Sequence, residues 1–234
     1  MSLIKLREQY PPPALEEKSH SELLHTVYAP NGNEYTGEWK NHKKHGKGIQ
    51  VWKKSGSIYD GDWKYGKPNG YGTYSVLPPG ENKYVVRYFG AWKNGKKHGI
   101  GTYYYSNLSF YEGEWIENLR SGWGIMRYEN ADIYEGEWMN DETHGQGTYQ
   151  FVNGNWYEGS WREGKKSGRG KFCYSDKGQL YEGVWVDGIA KCGTLSDFGR
   201  EEATTPTKHP IPQVGLVDME LVVQDAQSHY LNQC

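Results

Sequence analysis

The sequence predicts an all-β fold: a single-layer, twisted antiparallel β-meander of about seven β-hairpins. Three observations predict it. The first is the pentad Tyr-x-Gly-x-Trp, which begins at Tyr35, Tyr59, Tyr88, Tyr111, Tyr134, Tyr157 and Tyr181, with starts 24, 29, 23, 23, 23 and 24 residues apart. A period of this size marks a repeat array, in which each unit buries its apolar face against its neighbours. The second is a Gly-x-Gly seven residues after the Trp, at Gly46/Gly48, Gly70/Gly72, Gly99/Gly101, Gly122/Gly124, Gly145/Gly147 and Gly168/Gly170. The seventh copy holds Cys192 and Thr194 there, with Gly193 between them, and reads as a terminal cap. The third is composition: 31 Gly beside 20 Tyr and 10 Trp. Each interior glycine costs a helix about 1 kcal/mol, whereas large rings with polar tips suit a thin sheet open to water.

Taken in order, residues 1–23 carry Pro11-Pro12-Pro13 and then a polar stretch compatible with a short helix. From residue 24 the array opens with a half unit: Tyr28, the turn Pro30-Asn31-Gly32, then Tyr35. Asn-Gly between alternating segments is a strong hairpin signal, and it returns at Asn153-Gly154, while Ser55-Gly56 and Lys177-Gly178 fill the same slot. Each unit is therefore expected to run out through Gly-x-Gly, turn, and come back through Tyr-x-Gly-x-Trp.

Side chains alternate along a strand, so Tyr, Gly and Trp share one face. The outgoing strands are expected to end in a column on that same face: Tyr28, Trp52, Val76, Tyr105, Tyr128, Phe151, Tyr174 and Phe198. The other face carries Glu112, Glu114, Glu135, Glu137, Glu158 and Glu182, opposite Thr102, Thr148, Lys171 or Arg169. One aromatic and one wet face describe an antiparallel meander. The 29-residue unit places its extra residues in a long loop around residues 77–86. The array is expected to span residues 24–198. Beyond it, residues 199–234 read as a Pro-rich, extended linker followed by an amphipathic segment at 214–231, with Asp218 as N-cap of a helix.

This pattern resembles the MORN-repeat family (membrane occupation and recognition nexus), whose motif is close to Tyr-x-Gly-x-Trp-x-x-Gly-x-x-x-Gly-x-Gly. The resemblance covers residues 24–198. It implies a twisted β-ribbon with an aromatic groove that serves as a scaffold. Several family members work in cilia, flagella and sperm, or attach to membranes and cytoskeleton. For this chain it implies the sperm flagellum, axoneme or acrosomal vesicle surface as sites, while a cytoplasmic setting is expected from the residues: the start lacks the apolar run of a signal peptide, and no apolar run approaches the ~20 residues of a membrane span.

The residues themselves argue against several other functions. A net charge of −2 gives no global pull toward nucleic acid. Three scattered cysteines offer no ligand spacing and favour a reducing compartment. No nucleophile–base constellation or cofactor loop stands out, so a non-catalytic protein without cofactor or metal is expected. Gly159 to Lys166 and Gly90 to Lys97 each come one residue short of a phosphate-binding loop, but both are the repeat motif between strands rather than a helix opening. His45, His98 and His144 recur two units apart, about 19 Å at two strand spacings per unit, too far to share a metal.

Two binding surfaces remain. The first is an aromatic groove of Tyr35, Trp39, Tyr59, Trp63, Tyr88, Trp92, Tyr111, Trp115, Tyr134, Trp138, Tyr157 and Trp161, with the composition of an interaction hot spot. Its expected occupants are helical or extended peptide segments of other proteins, with homodimer formation through the C-terminal region as a further option. The second is a basic edge of Lys43, Lys44, Lys96, Lys97, Lys165 and Lys166, which would make the protein a peripheral membrane adaptor for acidic phospholipids. The bland reading of the same lysines is protection of turns and edges from aggregation.

Overall fold

A computed structural model describes residues 25–212. The expected N-terminal helix within residues 15–24 and the C-terminal helix at 214–231 lie outside the described residues. Among the described residues, fifteen strands form one open sheet in strict sequence order, every neighbour antiparallel. The strands are β1 (Thr26–Tyr28), β2 (Glu34–Lys40), β3 (Lys43–Trp52), β4 (Ser57–Lys64), β5 (Lys67–Val76), β6 (Val85–Lys93), β7 (Lys96–Tyr104) and β8 (Phe110–Ile116). They continue as β9 (Leu119–Arg127), β10 (Ile133–Met139), β11 (Glu142–Gln150), β12 (Trp156–Arg162), β13 (Lys165–Tyr174), β14 (Gln179–Val186) and β15 (Ile189–Asp197). The all-β meander read from the repeats is the fold.

Two kinds of connection alternate. Trp-bearing strands pass to Gly-x-Gly strands through two-residue turns, such as Asn94-Gly95, Glu163-Gly164 and Asp187-Gly188, with both residues at positive φ. That conformation matches the twist of the flanking strands. The Asn-Gly pairs singled out from sequence belong to the longer loops at the other end, 29–33 and 151–155. The long loop of the 29-residue unit runs through residues 77–84.

Register explains the motif. Gly136 pairs with Gly147, and Tyr134 with Tyr149 and Met126. Tyr134 lies across the glycine pair, and a Cβ on Gly147 would sit 2.4 Å from its hydroxyl. The first glycine of each Gly-x-Gly has positive φ, as in Gly145 at 57°, and it sits at the bulge where the ladder shifts between Gly136 and Glu137. It then pairs with the next unit's Trp, Gly145 opposite Trp161.

Three sequence expectations need correction. In the seventh unit Gly193, not a neighbour, stands opposite Gly183. The outgoing strand of that unit is one residue shorter, because Tyr181 pairs with Leu195, 14 residues on, where Tyr157 pairs with Phe172, 15 on. It has therefore lost the bulge glycine and kept the pairing one. As a consequence Phe198 leaves the aromatic column and packs edge-on against Trp156 of the opposite face, centroids 6.4 Å apart. Third, Arg169 pairs with Val184, while Lys171 lies between Glu158 and Glu182 and forms a 2.8 Å ion pair with the latter.

Candidate functional site

The aromatic face is a continuous zipper. Each pentad Trp from Trp63 to Trp185 stands edge-on between the Tyr of its own unit and that of the unit before. Trp138, for example, lies 5.2 Å from both Tyr111 and Tyr134, at 81° and 89°. This is the geometry in which a ring's positive edge meets another's negative face. The polar tips are satisfied inside the same structure. The Tyr35, Tyr59, Tyr88, Tyr111, Tyr134 and Tyr157 hydroxyls donate to the carbonyls of Glu38, Asp62, Ala91, Glu114, Glu137 and Ser160, at 2.9–3.0 Å. The indoles of Trp63, Trp92, Trp115, Trp138 and Trp161 donate to the carbonyls of Gly48, Gly72, Gly101, Gly124 and Gly147 in the preceding unit. Burial drives the tyrosine pKa values up, to about 12 at Tyr35 and Tyr157.

These rings are thus core before they are surface. Tyr59, Tyr88, Tyr111, Tyr134 and Tyr157 are fully buried, and Tyr35, Trp63, Trp115, Trp138 and Trp161 nearly so. Trp92 is half-buried and Trp39 exposed. What remains accessible is a second rank of rings directly beside them. Tyr103, Tyr128, Tyr149 and Phe172 are partly buried against the core, Phe151 and Tyr174 are half-buried, and Tyr105 is exposed. They stack on one another, as in Tyr103–Tyr105 at 4.8 Å, Tyr149–Phe151 at 4.7 Å and Phe172–Tyr174 at 4.6 Å. Only the outer members of this rank appear in the column read from sequence. Period-two alternation placed them on the right face but could not tell which rings the zipper consumes.

The basic edge divides in the structure. Lys43, Lys96 and Lys165 are exposed, and the latter two face Glu117 at 2.8 Å and Asp187 at 4.0 Å. The second lysine of each pair turns over the rings. The Lys44 ammonium lies 4.9 Å from the Tyr35 and Trp63 centroids and donates to the Gln50 amide oxygen. Lys97 lies 3.9 Å from Trp115 and 4.4 Å from Tyr103, and Lys166 4.5 Å from Phe172 and 4.8 Å from Tyr157. Arg120 occupies the same repeat position, 4.3 Å from Trp138, with its Nε 3.0 Å from Asp141. Cations over ring faces are attracted by the ring quadrupole. Burial lowers the lysine pKa values, at Lys97 to about 8. Neither Lys97 nor Lys166 has a carboxylate at ion-pair distance among the described residues.

On the other face, four of the seven units carry an acidic residue three after the Tyr, and it does a job that strand parity alone does not reveal. Carboxylates of Glu38, Asp62, Glu114 and Glu137 accept the backbone N–H groups of Lys47, Tyr71, Trp123 and Gln146, at 2.8–2.9 Å. They tie down donors beside the bulge. Of the repeated histidines, His45 stacks on Tyr65 at 5.7 Å, and the Nδ1 atoms of His45 and His144 are buried without a partner.

Each Tyr, Gly and Trp of the repeat motif now has a task. The family model described as MORN repeat matches residues 35–57, 59–75, 88–109, 111–133, 134–156 and 157–179. The chain belongs to the MORN-repeat family. Its relatives include MORN repeat-containing protein 3 of Xenopus laevis, 58% identical over 205 residues, covering 88% of this chain and 86% of that protein. MORN repeat-containing protein 3 of Mus musculus is 63% identical over 204 residues, 87% and 85% of the two chains. The Homo sapiens protein of that name is 54% identical over 56 residues, 24% and 23%. The matched segments stop before the unit of Tyr181, whose outgoing strand lacks the bulge glycine. MORN-repeat proteins are, as a family, repeat scaffolds.

Proposed function

We propose that this chain is a non-catalytic scaffold or adaptor whose aromatic groove holds a helical or extended segment of a partner protein. The observation that carries the reading is the half-exposed second rank of rings, flanked by the Lys97 and Lys166 ammonium groups. Stacked aromatic rings are what binding hot spots are made of, and a partly buried cation lacking an anion favours a partner that supplies one. By family resemblance, the proposed setting is a sperm, flagellar or ciliary assembly in the cytoplasm. Affinity capture from spermatogenic tissue tests it, comparing the native chain with Tyr105→Glu and Tyr128→Glu. Partners recovered by the native chain should be lost with both variants. Equal recovery would remove the groove from the function.

The alternative, an adaptor for acidic phospholipids through the basic edge, has less support. Lys44, Lys97 and Lys166 turn over the rings, and Lys96 and Lys165 already face acidic residues. Vesicles containing phosphatidylserine separate the two: edge-mediated binding should fall steeply between 50 and 300 mM salt, on the order expected from charge screening.

A further inference from the structure

The described chain continues past the sheet and turns back. The Phe198 N–H donates to the Gly178 carbonyl at 2.8 Å, a short 3-10 turn follows at Arg200–Glu202, and the Thr205 N–H reaches the Asp176 carbonyl at 2.8 Å. The Arg200 guanidinium then gathers the Thr207 hydroxyl and carbonyl and the His209 carbonyl. The Ile211 N–H closes the loop on the Asp197 carboxylate at 2.9 Å. The residues expected to form an extended linker are thus a closed loop over the tip of the β13–β14 hairpin. They add no reach, but they fix where the chain leaves.

That exit lies on the groove side. Asp197 pairs with Gln179, and Gln179 with Tyr174, so strand parity puts the Asp197 carboxylate on the face of Tyr174, Phe172 and Tyr181. The exit is two strand spacings, about 10 Å, from the outer ring column. Residues 213–234 follow. They include Leu216, Val217, Met219, Leu221, Val222 and Val223, the acids Asp218, Glu220 and Asp225, and no Lys or Arg. The nearest stretch of groove is complementary: Phe151, Phe172 and Tyr174 are half-buried, Lys166 lies over Phe172, and Lys177 is 5.6 Å from the Tyr174 centroid. Neither lysine has a carboxylate within 3.9 Å among the described residues, Lys165 being the one that faces Asp187.

We propose that residues 213–234 lie across the C-terminal third of the groove of their own chain, apolar side chains on Phe151, Phe172 and Tyr174 and carboxylates toward Lys166 and Lys177. Even at the 1.5 Å rise per residue of an α-helix, 22 residues reach about 33 Å, roughly three units. A tether ending about 10 Å from the surface gives an effective concentration in the millimolar range, which favours the same chain over a second copy.

The test uses the full chain, prepared as an equal mixture of ¹⁴N and ¹⁵N copies and treated with a zero-length carbodiimide. The expected product is a link from Lys166 or Lys177 to Asp218, Glu220 or Asp225 in which both peptides carry the same isotope. Links between differently labelled peptides would overturn the proposal in favour of a second copy. Absence of any link from these acids to a groove lysine would overturn it outright. In parallel, the triple variant D218N/E220Q/D225N should raise binding of an apolar fluorescent dye about three-fold, while no rise would count against the tail. Failure here would leave partner capture intact, because the Tyr105 variant tests a stretch of the groove beyond the tail's reach.

Discussion

Trp115 in the middle of the array is 2% exposed, whereas Trp39 in the first unit is 42% exposed, although both close the same pentad. Trp115 stands between Tyr88 and Tyr111, at 5.6 and 5.1 Å, and donates to the Gly101 carbonyl of the unit before. Among the described residues Trp39 has one such neighbour, Tyr35 at 5.1 Å, because only the short β1 precedes its unit there. The indole therefore belongs to the junction between units rather than to the unit that encodes it. Stability in this protein is a sum of junctions, as expected for a quasi-one-dimensional array.

The largest effect that would sharpen this comparison is Trp115→Ala against Trp39→Ala. Loss of a buried Trp costs about 3–5 kcal/mol, while Trp39→Ala should cost less than about 1 kcal/mol. Urea denaturation followed by circular dichroism measures both, and equal losses would break the junction account.

Next comes the glycine pair. A Cβ on Gly136 would lie 2.4 Å from the Gly147 Cα and 2.6 Å from the Gln146 carbonyl, so backbone rather than a flexible side chain must move. Gly136→Val should destabilise by about 3 kcal/mol, the upper part of the overpacking range. Glu135→Val, on the wet face, should change stability by under about 0.5 kcal/mol.

The third effect is alkaline. In the folded chain the buried tyrosines keep their protons above the usual value, to about 12 at Tyr35 and Tyr157. Between pH 10 and 12 the native state then binds more protons than the unfolded one, and stability falls as pH rises. Lys97 acts oppositely: its value near 8 makes the unfolded state the better proton binder between about pH 8 and 10.5, so stability rises slightly there. Three lowered lysines, Lys44, Lys97 and Lys166, against nine raised tyrosines predict a small gain in melting temperature up to about pH 10 and a steep loss above it. A monotonic decline from pH 7 would contradict the lysine assignment, and no steep loss above pH 10 would contradict the tyrosine one.

The smallest effect concerns the bulge. Glu137→Gln keeps a side-chain acceptor for the Gln146 N–H but removes the charge, for a loss of about 1 kcal/mol. In the unit of Tyr157 the same position is Ser160, and no hydrogen bond from it to the bulge is formed, its hydroxyl accepting from the Gln146 side chain instead. Ser160→Ala should therefore cost less than Glu137→Gln.

What the sequence determined by itself is the architecture: one sheet, its strand order, the two faces and the place of the Tyr, Gly and Trp of each pentad. Period-two alternation and a 23- or 24-residue repeat allow little else, since consecutive strands joined by tight turns must pair with one another. The candidate site was legible in kind but not in rank. Alternation cannot distinguish Tyr134, fully buried across a glycine pair, from Tyr105, exposed on the same face, because that difference arises from which ring reaches the bare backbone of Gly136 and Gly147. Only the tertiary structure decided that the second lysine of each pair leaves the edge to lie over the rings. It also decided that Gly193 serves as the seventh unit's pairing glycine and that residues 198–211 close into a loop. Each depends on a bulge or a long-range contact, such as Ile211 on Asp197, and local sequence periodicity carries no trace of either.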